Sequence, residues 1–403
     1  LSLLIIVISS AEAFSQRNTY NFNHGWKLFV GDRPEAATSG FDDTDWKKIT
    51  LPRAWNQEEA FQNDIKDLST GIAWYRKTFQ LPEGAQTAKV FLEFEGVRHM
   101  GEVYINGTFI GRHENGVMAF GFDVTPFLKP FPEQNVVAVK TDNDWRYKEK
   151  LTGSGYQWND RNFNANYGGI PKNVYLHYTP EVYQTLPLWS TLGTTGTYVY
   201  ARDIDIPAKR AVVHVETQIR NESLRAVDVQ LNINISDMDQ QPVASFPGEA
   251  ATLPPGGMIE LQARDTLRNV HFWSWGYGYL YTVVSELVID GEVVDRVETK
   301  TGFRKTAFEN GMISLNDRVI MVKGYAQRTS NEWPAIGMSA PDWLSDYSNR
   351  LVVEGNGNLV RWMHVTPWKQ DVESCDRVGL IQAMPAGDAE GDVHGRRWEH
   401  RVD

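Results

Sequence analysis

The sequence predicts a multidomain, mainly β protein: a jelly-roll sandwich, then an immunoglobulin-like sandwich, then the start of a (β/α)8 barrel. Three observations predict it. Short apolar runs alternate with polar residues from Tyr20 to Thr299, and no helical period of useful length appears before residue 180. Asn106-Gly107 and Asp290-Gly291 each sit between two apolar runs, the strongest short hairpin signal. Beyond Gly302 the texture changes. Asn358 to Gly379 (NLVRWMHVTPWKQDVESCDRVG) reads as a buried strand with Leu359, Val360 and Trp362, polar residues Arg361 and His364 at its C-terminal end, and an amphipathic segment closing on Gly379. With the apolar Leu380-Ile381 behind it, this is a β/α repeat.

Taken in order, residues 1–16 read as the remnant of a signal peptide. Leu1 to Ile8 is an apolar run, followed by small residues and the A-x-A pattern Ala11-Glu12-Ala13. Export to a periplasm or the medium is the expectation. The single cysteine, Cys375, forbids an intramolecular disulfide and favours a bacterial setting. Residues 17–180 form the first β domain: Val90 to Phe94 alternates, Val103 to Ile105 and Phe109-Ile110 flank the Asn-Gly turn, and Val136 to Val139 adds a strand. Pro180 to Leu188 reads as a linker. Residues 181–302 form the second β domain, with clean alternation in Ala211–Ile219 and Val227–Ile235. Residues 303–403 begin with a β approach over Phe303–Phe308 and Ile313–Lys323. Helical periodicity follows over Ala340–Ser348 and Lys369–Arg377.

Composition narrows the function. A net charge of −11 argues against nucleic acid, and no apolar run reaches the ~18–20 residues that span a bilayer. Fourteen Trp, sixteen Tyr and eighteen Phe supply sandwich cores and leave aromatic rings for stacking on sugars.

Several stretches then carry a resemblance. Trp74-Tyr75-Arg76-Lys77 with Phe79, Phe94-Glu95-Gly96-Val97, Val103 to Gly107, Gly111-Arg112-His113, Asp123-Val124-Thr125 and Asn166-Tyr167-Gly168-Gly169-Ile170 occur in that order. Leu280-Tyr281, Thr301 to Lys305, Leu315-Asn316 to Lys323-Gly324, and Asn358 to Gly379 continue the series. The chain resembles the family 2 glycoside hydrolases, the group of β-galactosidases, β-glucuronidases and β-mannosidases. The resemblance implies a sugar-binding jelly roll, an immunoglobulin-like sandwich and a catalytic barrel, and a retaining exo-β-glycosidase acting on oligo- or polysaccharide, with β-galactoside favoured. It implies a carbohydrate substrate and no cofactor, names no metal, and is compatible with a homo-oligomer.

The same resemblance nominates site residues. His364 matches a histidine that contacts the sugar, with Arg361 fixing the loop or a nearby carboxylate; the other reading makes His364 a hydrogen-bonded strand-end residue. Phe163 stands where the family has a sugar-binding aspartate, leaving Asn164 or Asp160 as substitutes, or else an Asn-rich loop held by its own turns. Arg328 replaces a histidine of many members, and a guanidinium suits an anionic sugar or an ion pair in the barrel mouth. Trp333, Trp362 and Trp368 offer a stacking wall, of which Trp362 fits the core and Trp368, past the strand end, fits the sugar. Asp388 and Glu390 either contact substrate or form a solvated acidic loop.

The catalytic pair is another matter. Retaining glycosidases hold two carboxylates ~5–5.5 Å apart. Asn331-Glu332 has the letters of the family's Asn-Glu pair, but it precedes the strand bearing His364. The glutamates are therefore expected beyond Asp403, which leaves these 403 residues inactive by themselves. The competing expectation is a non-catalytic carbohydrate-binding protein built from the two sandwiches; a structural adhesin is disfavoured by the α/β segment.

Overall fold

The structure, a computed structural model, describes residues 17–83, 85, 88–148, 165–327, 332–363 and 367–384. The signal-peptide residues 1–16 lie outside the described residues.

Two facing antiparallel sheets form the first sandwich. One orders the strands Asn18–Asn21, Val174–Thr179, Lys89–Phe94 and Phe120–Asp123; the other orders Lys47–Ile49, Trp26–Val30, Ile72–Phe79, Asn135–Asp142, Met100–Ile105 and Thr108–Glu114. Trp26, Tyr75, Val103 and Val137 from one sheet meet Leu92, Phe94, Phe120 and Leu176 from the other in a single buried core. Asn106 and Gly107 both take positive φ (51° and 91°), the geometry a two-residue hairpin turn requires. The WYR motif serves this framework. Tyr75 points into the core and donates its hydroxyl to the Arg53 carbonyl at 2.8 Å. Arg76, buried on the other side, donates to Asp43 at 2.9 Å and to the Thr38 carbonyl at 2.9 Å.

The second sandwich pairs Val182–Gln184, Arg210–Asn221, Thr197–Asp205 and Met258–Arg268 on one sheet with Pro242–Leu253, Val227–Ser236, Tyr281–Ile289 and Glu292–Thr301 on the other. Along Arg210–Asn221 every second residue from Ala211 is buried, as the sequence alternation requires. Asp290 and Gly291 turn the last hairpin with φ of 52° and 83°. The expected linker over Pro180–Leu188 is corrected: Val182–Gln184 is a buried edge strand paired with Asn221 to Ile219, and Gln184 Nε2 donates to the Ser285 carbonyl at 3.0 Å. Its three residues are too few to show a period, so the flanking prolines dominated the reading.

A three-stranded meander (Thr306–Glu309, Met312–Leu315, Arg318–Ile320) leads out of the second sandwich. The strands Gly324–Gln327, Leu359–Trp362 and Ile381–Ala383 then lie parallel in that order, joined by the helices Asp342–Glu354 and Lys369–Val378. These are two consecutive β/α units and a third strand. The first helix starts after Pro341 and runs six residues past the end of the predicted span. Val360 and Trp362 pack with Val352, Cys375 and Leu380 under the helices. Ser345 donates to Asp371 at 2.7 Å and Asn349 to Ser374 at 2.9 Å, locking helix to helix. Gly379 ends the second helix in the left-handed region (φ 76°), its N–H bonded to the Cys375 carbonyl at 3.0 Å. Among the described residues no helix is long and apolar enough to cross a membrane.

Candidate functional site

The two sandwiches grip opposite ends of the parallel strands. The second sandwich holds the turn after the second helix, where Trp273 Nε1 donates to the Asp376 carbonyl and Gly276 N–H to the Gly379 carbonyl, both at 2.8 Å. That turn lies at the N-terminal end of the sheet. The first sandwich instead meets the loops that follow the strands. Ala54, Ala60, Leu68, Ala165 and Tyr167 pack with Met338, from the loop after Gly324–Gln327, and Trp368, from the loop after Leu359–Trp362. Ala54 N–H donates to Ser339 Oγ at 2.9 Å, and Arg98 reaches Met338 Sδ at 3.3 Å. In β/α folds the chemistry gathers at the C-terminal ends of the strands, and here a second domain helps to build that end.

An amide lattice fixes the contributing loop. Asn166 donates to the Asn143 carbonyl at 2.7 Å, its own carbonyl accepts from Asn143 at 3.0 Å and Asn56 at 2.9 Å, and its Oδ1 lies 2.6 Å from His99 Nε2. Asn56 Oδ1 also accepts from Gly168 N–H at 3.0 Å. The Gly168-Gly169 pair follows directly, with Gly169 paired antiparallel to Ala54. Its close approach is internal: a Cβ on Gly168 would lie 2.6 Å from the Asn143 side chain, and one on Gly169 would run into the Tyr75 hydroxyl. Tyr167 makes the crossing, donating its hydroxyl to Glu332 at 3.0 Å, while its ring leaves no space for a side chain at Gly337.

Electrostatics at this seam follow burial. The Arg98 guanidinium is pushed down to about 10 by desolvation, opposed by the Glu332 carboxylate. Burial and the same carboxylate raise the Tyr167 phenol well above its ordinary value, so it remains a donor. Lys172, buried with its ammonium 4.4 Å from the Trp368 ring, is pushed down to about 8 by desolvation. Burial pushes the Asp371 carboxyl up to about 6. Glu95, against Asn173 and Lys369, is also raised by burial.

Of the residues nominated from sequence, His364, Asn164, Asp160, Arg328, Asp388 and Glu390 lie outside the described residues. Arg361 is exposed on the sheet face turned away from the helices, in register with Ala326 and Ala383, whose small side chains leave it room. Trp362 is fully buried, as the core reading required. Trp368 is corrected. It is 3% exposed, covered by Lys172 on one side and filling the space where a Gly96 side chain would stand, so neither ring face is open to a sugar. Trp333 is open instead, 48% exposed and edge-to-face with the 60% exposed Trp343 at 6.4 Å. Sequence reasoning set Glu332 aside as catalytic, and its carboxylate here receives the Tyr167 hydroxyl. The seam roles of Arg98 and Tyr167 went unread in the sequence, although Tyr167 lies within one of the stretches that carry the resemblance and Arg98 directly follows another.

Comparison with known proteins agrees with this architecture. Residues 45–176 match the family described as "Glycosyl hydrolase 2 galactose-binding domain-like", and residues 197–304 match "Glycosyl hydrolases family 2". A beta-glucuronidase of Formosa agariphila is 35% identical over 96% of this chain and 40% of its own length. A beta-galactosidase of Bacteroides ovatus is 30% identical over 93% of this chain and 42% of its own length. The solved structure of a family 2 beta-glucuronidase superposes with a TM-score of 0.87 at 34% identity, covering 96% of this chain and 41% of that one. The chain thus spans about two fifths of the length of the relatives it matches. By motif order, fold and these matches together, the chain belongs to family 2 of the glycosyl hydrolases.

Proposed function

We propose that these residues build one wall of the active site of a retaining exo-β-glycosidase, and that its substrate is a terminal β-glucuronide. The observation that carries the reading is the seam at the C-terminal ends of the strands. There the first sandwich ties down the loop after the first parallel strand through Tyr167 and Arg98, packs with Trp368 of the loop after the second, and leaves Arg361 and the Trp333–Trp343 pair uncovered. The glucuronide is supported by the 35% identical beta-glucuronidase and by the two guanidinium groups expected at the sheet's mouth, Arg361 and Arg328, since a guanidinium pairs with a carboxylate in a fork. In this reading the glucuronide is preferred to the β-galactoside favoured from sequence, which the 30% identical beta-galactosidase keeps as the alternative substrate. The parallel strands are the opening of a (β/α)8 barrel, and the two catalytic carboxylates come from sequence outside these residues.

Export to the periplasm or medium is part of the same reading, tested by fractionating cells that carry the natural N-terminus. The function itself is tested with p-nitrophenyl β-glycosides on the polypeptide encoded by the whole reading frame. Hydrolysis of the glucuronide at least ten times faster than the galactoside, with retention of anomeric configuration, is expected. Preference for the galactoside would remove the glucuronide, and absence of any hydrolysis would favour the non-catalytic sugar-binding alternative.

A further inference from the structure

The outer face of the second sandwich carries a groove remote from the seam just described. Its floor is three strands in direct register: Tyr200 opposite His214 opposite Arg264, with Tyr198, Glu216 and Gln262 in the next row. These side chains point outward because their neighbours Val199, Val213, Val215 and Ala263 fill the core. A wall rises from Pro247, Gly248 and Glu249 of the other sheet. The strand crosses so closely at Gly248 that a side chain there would lie 2.7 Å from Ala263 Cβ. The groove, half open to solvent, has a volume of about 620 Å³, within the ~300–1,000 Å³ of ordinary small-ligand sites.

The lining is of two kinds. Tyr200 and His214 stack nearly parallel, at 4° and 4.9 Å, and Tyr198, beside the lining rather than in it, stacks on Tyr200 at 5.1 Å while remaining 61% exposed. An exposed ring beside hydrogen-bonding groups is the surface a pyranose ring packs on. The charges are segregated. Glu216 accepts the Tyr200 hydroxyl at 2.7 Å and Glu249 the Gln262 N–H at 2.9 Å, so both carboxylates are engaged by the protein. The Arg202 guanidinium sits 5.1 Å from the Tyr200 ring centroid, and neither it nor Arg264 has a carboxylate partner among the described residues. Both guanidinium groups, with burial ahead of them, hold the His214 imidazole below its usual value. One end of the groove is therefore cationic and the other offers acceptors.

We propose that this groove is a second glycan site, separate from the catalytic wall, that binds an oligosaccharide bearing an anionic group, carboxylate or sulfate ester. Arg202 and Arg264 take the anion, Tyr198 carries a sugar ring, and Gln262 with Glu216 meets hydroxyls of the adjoining sugar. A chain end delivered elsewhere on the molecule then remains tethered to the same polypeptide, which raises its local concentration.

Calorimetric titration of the chain with β-linked glucuronan hexamer, sulfated cellohexaose and neutral cellohexaose, at low salt, tests the proposal. One or both anionic hexamers should bind at least tenfold more tightly than the neutral one. Arg202→Gln/Arg264→Gln should weaken that binding at least tenfold, and Tyr198→Ala should weaken all sugar binding. Circular dichroism should be unchanged in both variants, since the substituted side chains face solvent. Which anionic hexamer binds more tightly identifies carboxylate or sulfate. No binding of either anionic hexamer, equal binding of the neutral one, or affinity untouched by the substitutions would overturn the groove as the site. None of these readouts depends on catalytic activity, so the proposed glucuronidase reaction stands or falls separately.

Discussion

Tyr167→Phe removes one of the hydrogen bonds that tie the first sandwich to the loop after the first parallel strand, the one that ends on a carboxylate. The ring is retained, so its packing against Met338, Trp368 and the Gly337 backbone survives, and only the donor to Glu332, 3.0 Å away, is lost. A hydrogen bond to a charged group contributes about 1.5–3 kcal/mol. The Arg98 charge remains near the carboxylate and prevents its complete isolation. At about 1.4 kcal/mol per factor of ten, the loop should open about 10- to 150-fold more often. Native-state hydrogen exchange reads this directly. The amides of Trp333, Gly337 and Ser339 bond only within the loop, to Gly337, Trp333 and Ile336, so their protection reports loop opening. Their protection should fall by that factor while amides of the Arg210–Asn221 strand stay unchanged. Equal protection in the variant would refute the seam as a coupling between the sandwich and the strand-end loop.

Three other outcomes follow from the same contacts. Gly379→Ala should cost about 2 kcal/mol or more in urea unfolding, because it adds a side chain within 2.6–2.8 Å of the Ser274, Gly276 and Tyr277 backbone to the left-handed penalty; Gly25→Ala, at φ 77° in open space, should cost only about 1 kcal/mol. Trp368→Ala should destabilise by about 3–5 kcal/mol as a buried core truncation, and a loss under 1 kcal/mol would return the ring to the surface role read from sequence. Asp371 has a folded pKa raised to about 6, so the folded state holds its proton longer than the unfolded chain, and its contribution to stability falls as pH rises from about 4 to 6. Asp371→Asn removes that slope: its stability relative to the parent should rise by about 1–3 kcal/mol between pH 4 and pH 7, and a constant difference would contradict the shift.

The sandwiches were legible because their information is local. In Ala211–Ile219 each inward residue is apolar, and the turn residues Asn106-Gly107 and Asp290-Gly291 supply the positive φ their hairpins need. Gly379 was legible for the same reason, as a helix stop. Trp368 was not, because its burial depends on Lys172 and Gly96, which reach it only after two domains have docked. The bond from Tyr167 to Glu332 joins residues 165 positions apart, and no pattern in either stretch announces the other. At the site the residue types were readable in part, whereas their partners were not.

The grip of the two sandwiches on opposite ends of the parallel strands has a consequence for biosynthesis. Both sandwiches precede those strands in the chain, and domains fold in the order they leave the ribosome. When Gly324–Gln327 emerges, the surfaces around Tyr167 and Trp273 already exist, 157 and 51 residues upstream of Gly324. The nascent strands and helices are met by a preformed jig whose two faces fix which end of the sheet is which. A short parallel sheet, whose pairings are slow to form unaided, is thereby held in place from its first turn.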